Sequence, residues 1–300
     1  MNKNIIMTTC LSCLAFSITL QANADIHKEV YGYFSNSDNA DAETIFDKSN
    51  NSEVYYMCIN IQTGKDKDHP TIITNNTNVI TNTVEMMNVI SSYTGNIELI
   101  NNGIIRDFSD EDPYENTIVK DLDPFGQGTI TSLVTDASML KLIATGSFTN
   151  NGILGLDIYM NNGGTVTLND GSSMAGVSAS KGVINVNGAI EAEGTFTLGE
   201  NLVMNFSKDS FIDLKGNMLT ANEAITINMH VSEYEEGKEL ILFKNVAEGS
   251  TTEFDVNIID DSGTVIETVK GGVGSNIPEP ASATLSVLAL AALSARRRRS

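Results

Sequence analysis

The 300-residue chain is predicted to be an all-β protein, built as an irregular right-handed parallel β-solenoid. Helical periodicity is almost absent, and β-branched and other apolar residues alternate with polar ones in runs of roughly four to seven residues. Gly-rich and Asn-rich turn signals separate these runs. A β-sandwich is the alternative, because Asn-Gly pairs are also the strongest short-range signal for a hairpin.

The chain begins with the features of a secretory signal peptide, predicted over residues 1–24. Lys3 supplies a positive charge, an interrupted apolar stretch follows, and Ala22 and Ala24 frame a small-x-small cleavage site for signal peptidase. The apolar stretch is short for a membrane span, which needs roughly 20 apolar residues. We therefore expect an exported protein whose mature chain begins at Asp25.

Residues 25–95 are predicted to form an N-terminal β cap or a small separate β unit. Their polar patches at 35–41 and 64–69 have the composition of loops. The segment 83–90 fits a short helix or a strand, since its Val and Ile residues suit a strand as well. Cys58 lies in an apolar run and is expected to be a small buried hydrophobe.

Residues 96–220 carry the predicted solenoid repeats. Apolar-x-apolar triplets begin at residues 166, 184, 196 and 212, which are 18, 12 and 16 residues apart (184 − 166, 196 − 184, 212 − 196). The absence of a strict period excludes hexapeptide and nonapeptide repeats. Irregular rungs of short strands fit a parallel β-solenoid, in which inward side chains of one coil stack on those of the next.

This segment resembles the passenger regions of autotransporter-type bacterial proteins. The resemblance rests on sequence texture, namely Asn-Gly turns and strands such as Thr165-Val166-Thr167-Leu168, and not on a diagnostic motif. It implies a β-solenoid body. Residues 221–270 change character, with longer alternating runs that predict antiparallel hairpins closing the end of the solenoid. Residues 271–277 are a Gly/Ser linker.

Residues 278–300 form a compact C-terminal tail. An apolar segment at 281–295 separates a Pro-Glu-Pro motif from a cluster of arginines, which favours the cytoplasmic side of a membrane. The tail consists of Pro278, Glu279 and Pro280, the apolar segment, and Arg296, Arg297, Arg298 and Arg299. This order resembles the PEP-CTERM sorting signal of Gram-negative bacteria. A plain C-terminal membrane anchor is the alternative.

The PEP-CTERM resemblance implies processing and a destination. An exosortase-type enzyme would cut near the motif after the tail has transiently engaged the inner membrane. The protein would then reach the cell surface or the extracellular matrix. The formal net charge of −20 agrees with a well-solvated exported chain, and it predicts no binding to nucleic acid, whose phosphates it would repel.

The sequence offers few residues for catalysis. His27, His69 and His230 share no metal-ligand spacing, and Gly-x-Ser-x-Gly elbows and phosphate-binding glycine loops are absent from the sequence. No serine has an evident base beside it, and the chain has no tryptophan to stack on sugar rings. We therefore expect no cofactor and no enzymatic activity.

One acidic cluster deserves a chemical interpretation. Its carboxylates are hard oxygen ligands that could bind Ca²⁺, although the EF-hand pattern is absent and a solvated acidic loop is the alternative. The candidates are Asp107, Asp110, Asp112, Asp121 and Asp123. Two such carboxylates could also serve a polysaccharide hydrolase or lyase. The expected function is nevertheless a structural or adhesive role among surface glycans or matrix, with the polysaccharide-active β-helix enzyme as alternative.

Overall fold

The structure is a computed structural model that describes residues 30–35, 53–62, 71–87, 96–108 and 138–274. The predicted signal peptide and the sorting tail lie outside these residues. Within them the chain is all-β, with one short 3₁₀ helix, η1 (Val231–Glu233). The described part of the chain contains no helix with the length and apolarity to cross a membrane.

The strands belong to one largely parallel sheet. They are β1 (Val30–Ser35), β2 (Glu53–Gln62), β3 (Thr71–Asn75), β4 (Asn78–Met87), β5 (Ile97–Asn101), β6 (Ile104–Arg106), β7 (Met139–Lys141), β8 (Gly146–Asn150), β9 (Ile153–Gly155), β10 (Asp157–Met160), β11 (Thr165–Asn169), β12 (Ser173–Met174), β13 (Val177–Asn187), β14 (Ala189–Ala192), β15 (Phe196–Phe206), β16 (Phe211–Asp213), β17 (Leu219–Ala221), β18 (Thr226–His230), β19 (Leu240–Lys244), β20 (Glu253–Ile259) and β21 (Val265–Gly274).

Among the described residues, parallel pairing joins these strands in three runs. Ladder one contains β3, β5, β8, β11, β13, β15, β18 and β20. Ladder two contains β4, β6, β9, β12, β14, β16, β19 and β21. Ladder three contains β1, β2, β4, β7, β10, β13, β15 and β17. The long strands β4, β13 and β15 each serve two ladders.

The three ladders share one hydrophobic core. In β11, Val166 and Leu168 are fully buried while their neighbours point outward, as the two-residue period of a strand requires. Inward side chains of all three ladders join one cluster, for example Val166 of ladder one, Ile190 of ladder two and Phe196 of ladder three. Each buried side chain of this size contributes about 1.5–3 kcal/mol, so the shared core is what holds the ladders together.

The irregular spacing of the apolar triplets has a simple structural origin. Val166 pairs with Ile184 in ladder one, whereas Phe196 lies in ladder three and Ile212 in ladder two. Consecutive triplets therefore do not always mark consecutive rungs. Side chains that hydrogen-bond between adjacent rungs of ladder one lie 18, 20, 23 and 29 residues apart in succession, so the intervening loops lengthen toward the C-terminal end.

The C-terminal region corrects part of the prediction. Antiparallel pairing was expected throughout 221–270, but in the described chain only β20 and β21 pair in this way. Strands β18 and β19 instead continue the parallel ladders. Strand β18 stays in the parallel ladder because Ile227 and Met229 stack on the preceding strand β15 and remain buried in the core. The alternative of a short helix at 83–90 is also wrong for residues 83–87, which belong to strand β4. Residues 88–90 lie outside the described part of the chain.

Candidate functional site

Of the acidic residues predicted to bind Ca²⁺, Asp107 lies within the described part of the chain. Asp107 follows β6, and its backbone carbonyl accepts a hydrogen bond from Arg106 Nη1 at 2.9 Å. Asp110, Asp112, Asp121 and Asp123 lie outside the described residues, as do the processing residues Ala22, Ala24, 278–280 and 296–299. Within the described ranges, no three His, Cys, Asp or Glu side chains are grouped as metal ligands.

Ladder one presents an uncharged outer surface between β8 and β18, which we call the amide face. Its outward side chains include no Asp, Glu, Lys or Arg, although the whole chain carries a net charge of −20. The outward residues of its strands are Ser147, Thr149, Thr165, Thr167, Asn169, Val183, Asn185, Asn187, Val203, Asn205, Thr226, Asn228 and His230. The face is therefore neutral, polar and rich in carboxamides.

A chain of hydrogen bonds, the middle row, runs across the amide face. Asn185 Nδ2 donates to Thr167 Oγ1 at 3.3 Å, Asn205 Nδ2 to Asn185 Oδ1 at 2.8 Å, and Asn228 Nδ2 to Asn205 Oδ1 at 3.1 Å. Asn257 Nδ2 continues the row to Asn228 Oδ1 at 3.3 Å. Parallel pairing places these side chains directly above one another, about 4.8 Å apart along the ladder.

A second chain, the outer row, begins at the corner after β3 and is solvent-exposed. Its members are Asn76, Asn102, Asn151, Asn169 and Asn187, joined by amide-to-amide bonds of 2.5–3.0 Å. In each bond the later residue donates to the earlier one. Asn102 and Asn151 come directly before glycine, in Asn-Gly pairs that signal tight turns. Their glycines are needed instead for close stacking of backbone on backbone.

A third chain, the inner row, lies beside the outer row but faces the core. It consists of Asn75, Asn101 and Asn150, all fully buried at the ends of β3, β5 and β8. Asn75 Nδ2 donates to Asn101 Oδ1 at 2.8 Å, and Asn101 Nδ2 donates to Asn150 Oδ1 at 2.9 Å. Here the earlier residue donates to the later one, and Asn150 Nδ2 ends the row on the Ser173 carbonyl at 2.9 Å.

Amides of the middle row retain capacity for a ligand. A carboxamide has two N–H donors and an oxygen with two lone pairs. Asn205 uses one donor toward Asn185 and one lone pair toward Asn228. Each rung therefore offers one further donor and one further acceptor at a spacing of about 4.8 Å. This pairing of donor with acceptor matches the hydroxyl group.

The amide face contains a shallow depression of about 420 Å³ at its C-terminal end. Its lining combines amides of the middle and outer rows with His230 and Glu233. The lining residues are Thr167, Asn185, Asn187, Asn205, Phe206, Ser207, Asn228, His230, Glu233 and Ile259. The depression is where a ligand on the amide face would meet a histidine.

His230 contacts a serine and an aspartate at once. Its Nδ1 lies 2.6 Å from Ser232 Oγ and also accepts the Ser232 backbone N–H at 3.2 Å. Its Nε2 lies 2.8 Å from Asp261 Oδ1. Because Nδ1 accepts the backbone N–H, the hydrogen-bond network assigns the ring proton of neutral His230 to Nε2, where it is donated to Asp261.

Strand pairing brings these three residues together. His230 is opposite Ile259 in the parallel pair of β18 with β20, so Asp261 follows close by in the turn after β20. Asp260 Oδ1 accepts from Ser262 Oγ at 2.7 Å and from the Ser262 and Thr264 backbone N–H groups at 2.9 Å, which fixes that turn. The Ser262 hydroxyl, first among these donors, holds the pKa of Asp260 below its ordinary value.

The outer surface of ladder two is charged, in contrast to the amide face. Lys215 Nζ lies 2.9 Å from Glu191 Oε1, and this hydrogen bond raises the pKa of Lys215. Burial alone would raise the pKa of Asp213, but hydrogen bonds from the Lys215 backbone N–H and from Asn245 Nδ2 outweigh burial and lower it. Lys244 Nζ stacks 3.3 Å above the Phe211 ring. Two neighbouring faces of one sheet therefore differ in charge.

Comparison with known proteins does not assign the chain. No protein-family model matches it, and no curated protein or solved structure is significantly similar to it. The geometry of the described residues is the basis for a functional proposal.

Sequence reasoning missed both the amide face and the histidine cluster. A signal for the face was present, since the outward positions of 165–169, 183–187 and 226–230 hold no Asp, Glu, Lys or Arg. The cluster had a weaker signal, the pair His230 and Ser232 two residues apart. Asp261 could not be added, because only the β18–β20 register places it there.

Proposed function

We propose that the protein is an exported right-handed parallel β-solenoid with a structural or adhesive role, which binds neutral polysaccharide through its amide face. The single observation that carries the binding proposal is the lack of Asp, Glu, Lys and Arg among the outward residues of ladder one between β8 and β18. Each amide of the middle row retains one donor and one acceptor. Polysaccharide hydroxyls need this combination, whereas acidic polymers are repelled by the net charge of −20.

The solenoid is our proposal for how the chain connects the three ladders. Parallel strands need crossover connections, and three ladders that share one core supply them if each coil contributes one strand to each ladder. Right-handed crossovers are strongly preferred between parallel strands of one sheet. The amide face is then one long side of a solenoid, and a polymer lying along it would contact several rungs.

Polysaccharide binding can be tested by affinity electrophoresis in gels containing dextran, galactomannan or mixed-linkage β-glucan, with dextran sulfate as the anionic counterpart. We expect at least one neutral polymer to retard the protein and dextran sulfate to have no effect. The double variant Asn185→Asp, Asn205→Asp removes two amide donors and adds charge, so it should abolish retardation.

The matched control changes a carboxylate on ladder two. Glu191→Gln alters an exposed residue outside the amide face, and its salt bridge with Lys215 is worth little at the surface. It should therefore bind as the original protein does. Absence of retardation by all three neutral polymers, or equal loss in both variants, would refute binding through the amide face.

The export proposal rests on the two termini of the sequence. Signal peptidase would cleave after Ala24, and an exosortase-type enzyme would act near 278–280. Intact mass and cell fraction of the protein from its native cells test both steps. A species that begins at Asp25, ends near Pro280 and lies outside the inner membrane is expected. A membrane species that retains 296–299 would show that the tail is a simple anchor.

A further inference from the structure

We propose that Ser232 is an activated nucleophile that hydrolyses carboxylic esters, with His230 as its general base and Asp261 as a positioning residue. The proposal stands on two contacts, 2.6 Å between Ser232 Oγ and His230 Nδ1 and 2.8 Å between His230 Nε2 and Asp261 Oδ1. A serine, a histidine and a carboxylate joined in this order form the arrangement that activates serine in hydrolases on unrelated folds.

The protonation pattern suits this role. Asp261 accepts the Nε2 proton, so the Nδ1 lone pair faces Ser232, whose hydroxyl at 2.6 Å and backbone N–H at 3.2 Å share it. The two ring nitrogens have exchanged roles relative to serine proteases, where Nε2 faces the serine. The exchange does not alter the chemistry, since either nitrogen is an acceptor when the other holds the proton.

Access and position support the same assignment. Ser232 is exposed on η1, so a substrate can reach its hydroxyl, while the His230 side chain is 32% exposed and lines the amide-face depression. Two neighbours hold the cluster in place. The Ser232 backbone N–H fixes the imidazole from one side, and the hydrogen-bonded Asp260 turn presents Asp261 from the other.

The reaction is balanced with water as its only co-reactant. Ser232 Oγ attacks the ester carbonyl carbon while its proton passes to His230 Nδ1. The carbon–oxygen bond to the alcohol breaks, and the alcohol oxygen takes that proton. Water then attacks the acyl-serine, giving its proton to Nδ1, and the carboxylic acid leaves as Ser232 Oγ regains a proton. Acetyl esters on a polysaccharide are the substrate class, a choice that rests on the proposed function.

The test uses p-nitrophenyl acetate and the full chain with Ser232→Ala, and Ser180→Ala as matched control. Ser180 is another exposed serine, but its hydroxyl donates to Asn161 Oδ1 at 2.9 Å and not to a base. We expect Ser232→Ala to lower ester hydrolysis at least about tenfold, a modest factor for general-base catalysis at an exposed site, and Ser180→Ala to leave it unchanged. Peptide mapping after rapid quenching should find the acetyl group on Ser232.

Asp261 provides a graded check. Its side chain is 99% exposed, so water screens its interaction with the imidazole and its contribution should be small. Asp261→Asn should lower kcat a few-fold at unchanged KM, and Asp261→Glu should restore it. An equal rate in Ser232→Ala and the original chain, or acetylation elsewhere with Ser232 unmodified, would overturn the proposal.

The assay separates this proposal from the proposed function. Hydrolysis of p-nitrophenyl acetate does not require polysaccharide binding, so activity without retardation in gels would refute only the amide-face ligand. Retardation without activity would refute only the nucleophile. Acetylated dextran tests the substrate class, since release of acetate should be lost in Ser232→Ala and reduced in Asn185→Asp, Asn205→Asp.

Discussion

The inner and outer asparagine rows place the same side chain in two environments one residue apart. Asn101 is fully buried and Asn102 is exposed, yet both donate to one neighbouring carboxamide and accept from another. A buried polar group that loses its partner pays the cost of desolvation, whereas an exposed one turns to water. The same geometry therefore stabilises the fold in the inner row and remains available to solvent or ligand in the outer row.

Both rows lie beside the corner at which Gly152 stacks on Gly103. Disrupting this stacking should have the largest effect on stability. A Cβ on Gly152 would lie 2.1 Å from the Gly103 carbonyl oxygen, a backbone atom that cannot move alone. We expect Gly152→Ala to lower the free energy of unfolding by about 3 kcal/mol or more. Urea denaturation followed by circular dichroism measures this change.

Gly272→Ala is the control for that substitution. A Cβ at Gly272 would meet only the Thr252 carbonyl oxygen, at an ordinary 3.7 Å. Its free energy of unfolding should stay within about 0.5 kcal/mol of the original value. Similar losses in both variants would mean that the corner is no more tightly packed than the C-terminal strands.

Alanine substitutions at Asn101 and Asn102 should affect stability to different extents. Asn101→Ala removes the acceptor for Asn75 and the donor for both Asn150 and the Ile153 carbonyl, all within or beside the core. It should cost about 2–3 kcal/mol. Asn102→Ala breaks two exposed amide bonds of 2.8 and 2.7 Å and should cost less than about 0.5 kcal/mol. Equal losses in urea denaturation would contradict the role assigned to burial.

The smallest expected effect is that of pH on the stability difference between the two rows, because carboxamides do not titrate. The difference in stability between Asn101→Ala and Asn102→Ala should therefore be constant with pH. Total stability should still vary, since the folded pKa of Asp213 is lowered. Its contribution is present above the unfolded pKa of about 3.9 and is lost as pH falls through the lower folded value.

Stability measurements from pH 5 down to acid denaturation check this slope. Asp213→Asn removes the carboxylate that Lys215 and Asn245 hold by hydrogen bonds. The variant should lose less stability between pH 4 and pH 2 than the original chain. Identical slopes would show that other carboxylates set the acid response.

The sequence predicted local structure well. The apolar-x-apolar triplets that begin at 166, 184 and 196 lie in β11, β13 and β15, and both apolar residues of each triplet are buried as alternation requires. All-β character and the dominance of parallel strands were also predicted correctly. Local alternation suffices here because each strand buries one face against the shared core.

The register between strands that are distant in the chain could not be predicted from the sequence. Nothing local distinguishes a hairpin at Asn151-Gly152 from a corner at which Gly152 stacks on Gly103 of the preceding rung. The same limit hid the histidine cluster, since Asp261 reaches His230 only through the pairing of β18 with β20. Export, sorting and the calcium candidates other than Asp107 concern residues outside the described part, and all of them stay predictions.

The opposite directions of the two asparagine rows have a consequence for growth of the ladder. The inner row donates from earlier to later residues and the outer row from later to earlier, so their amide dipoles point in opposite senses and cancel side by side. In an α-helix, aligned dipoles leave about half a charge at each end. Over the three rungs where both rows are present, each added rung therefore adds two opposed amide dipoles, whereas the outer row continues alone through Asn169 and Asn187.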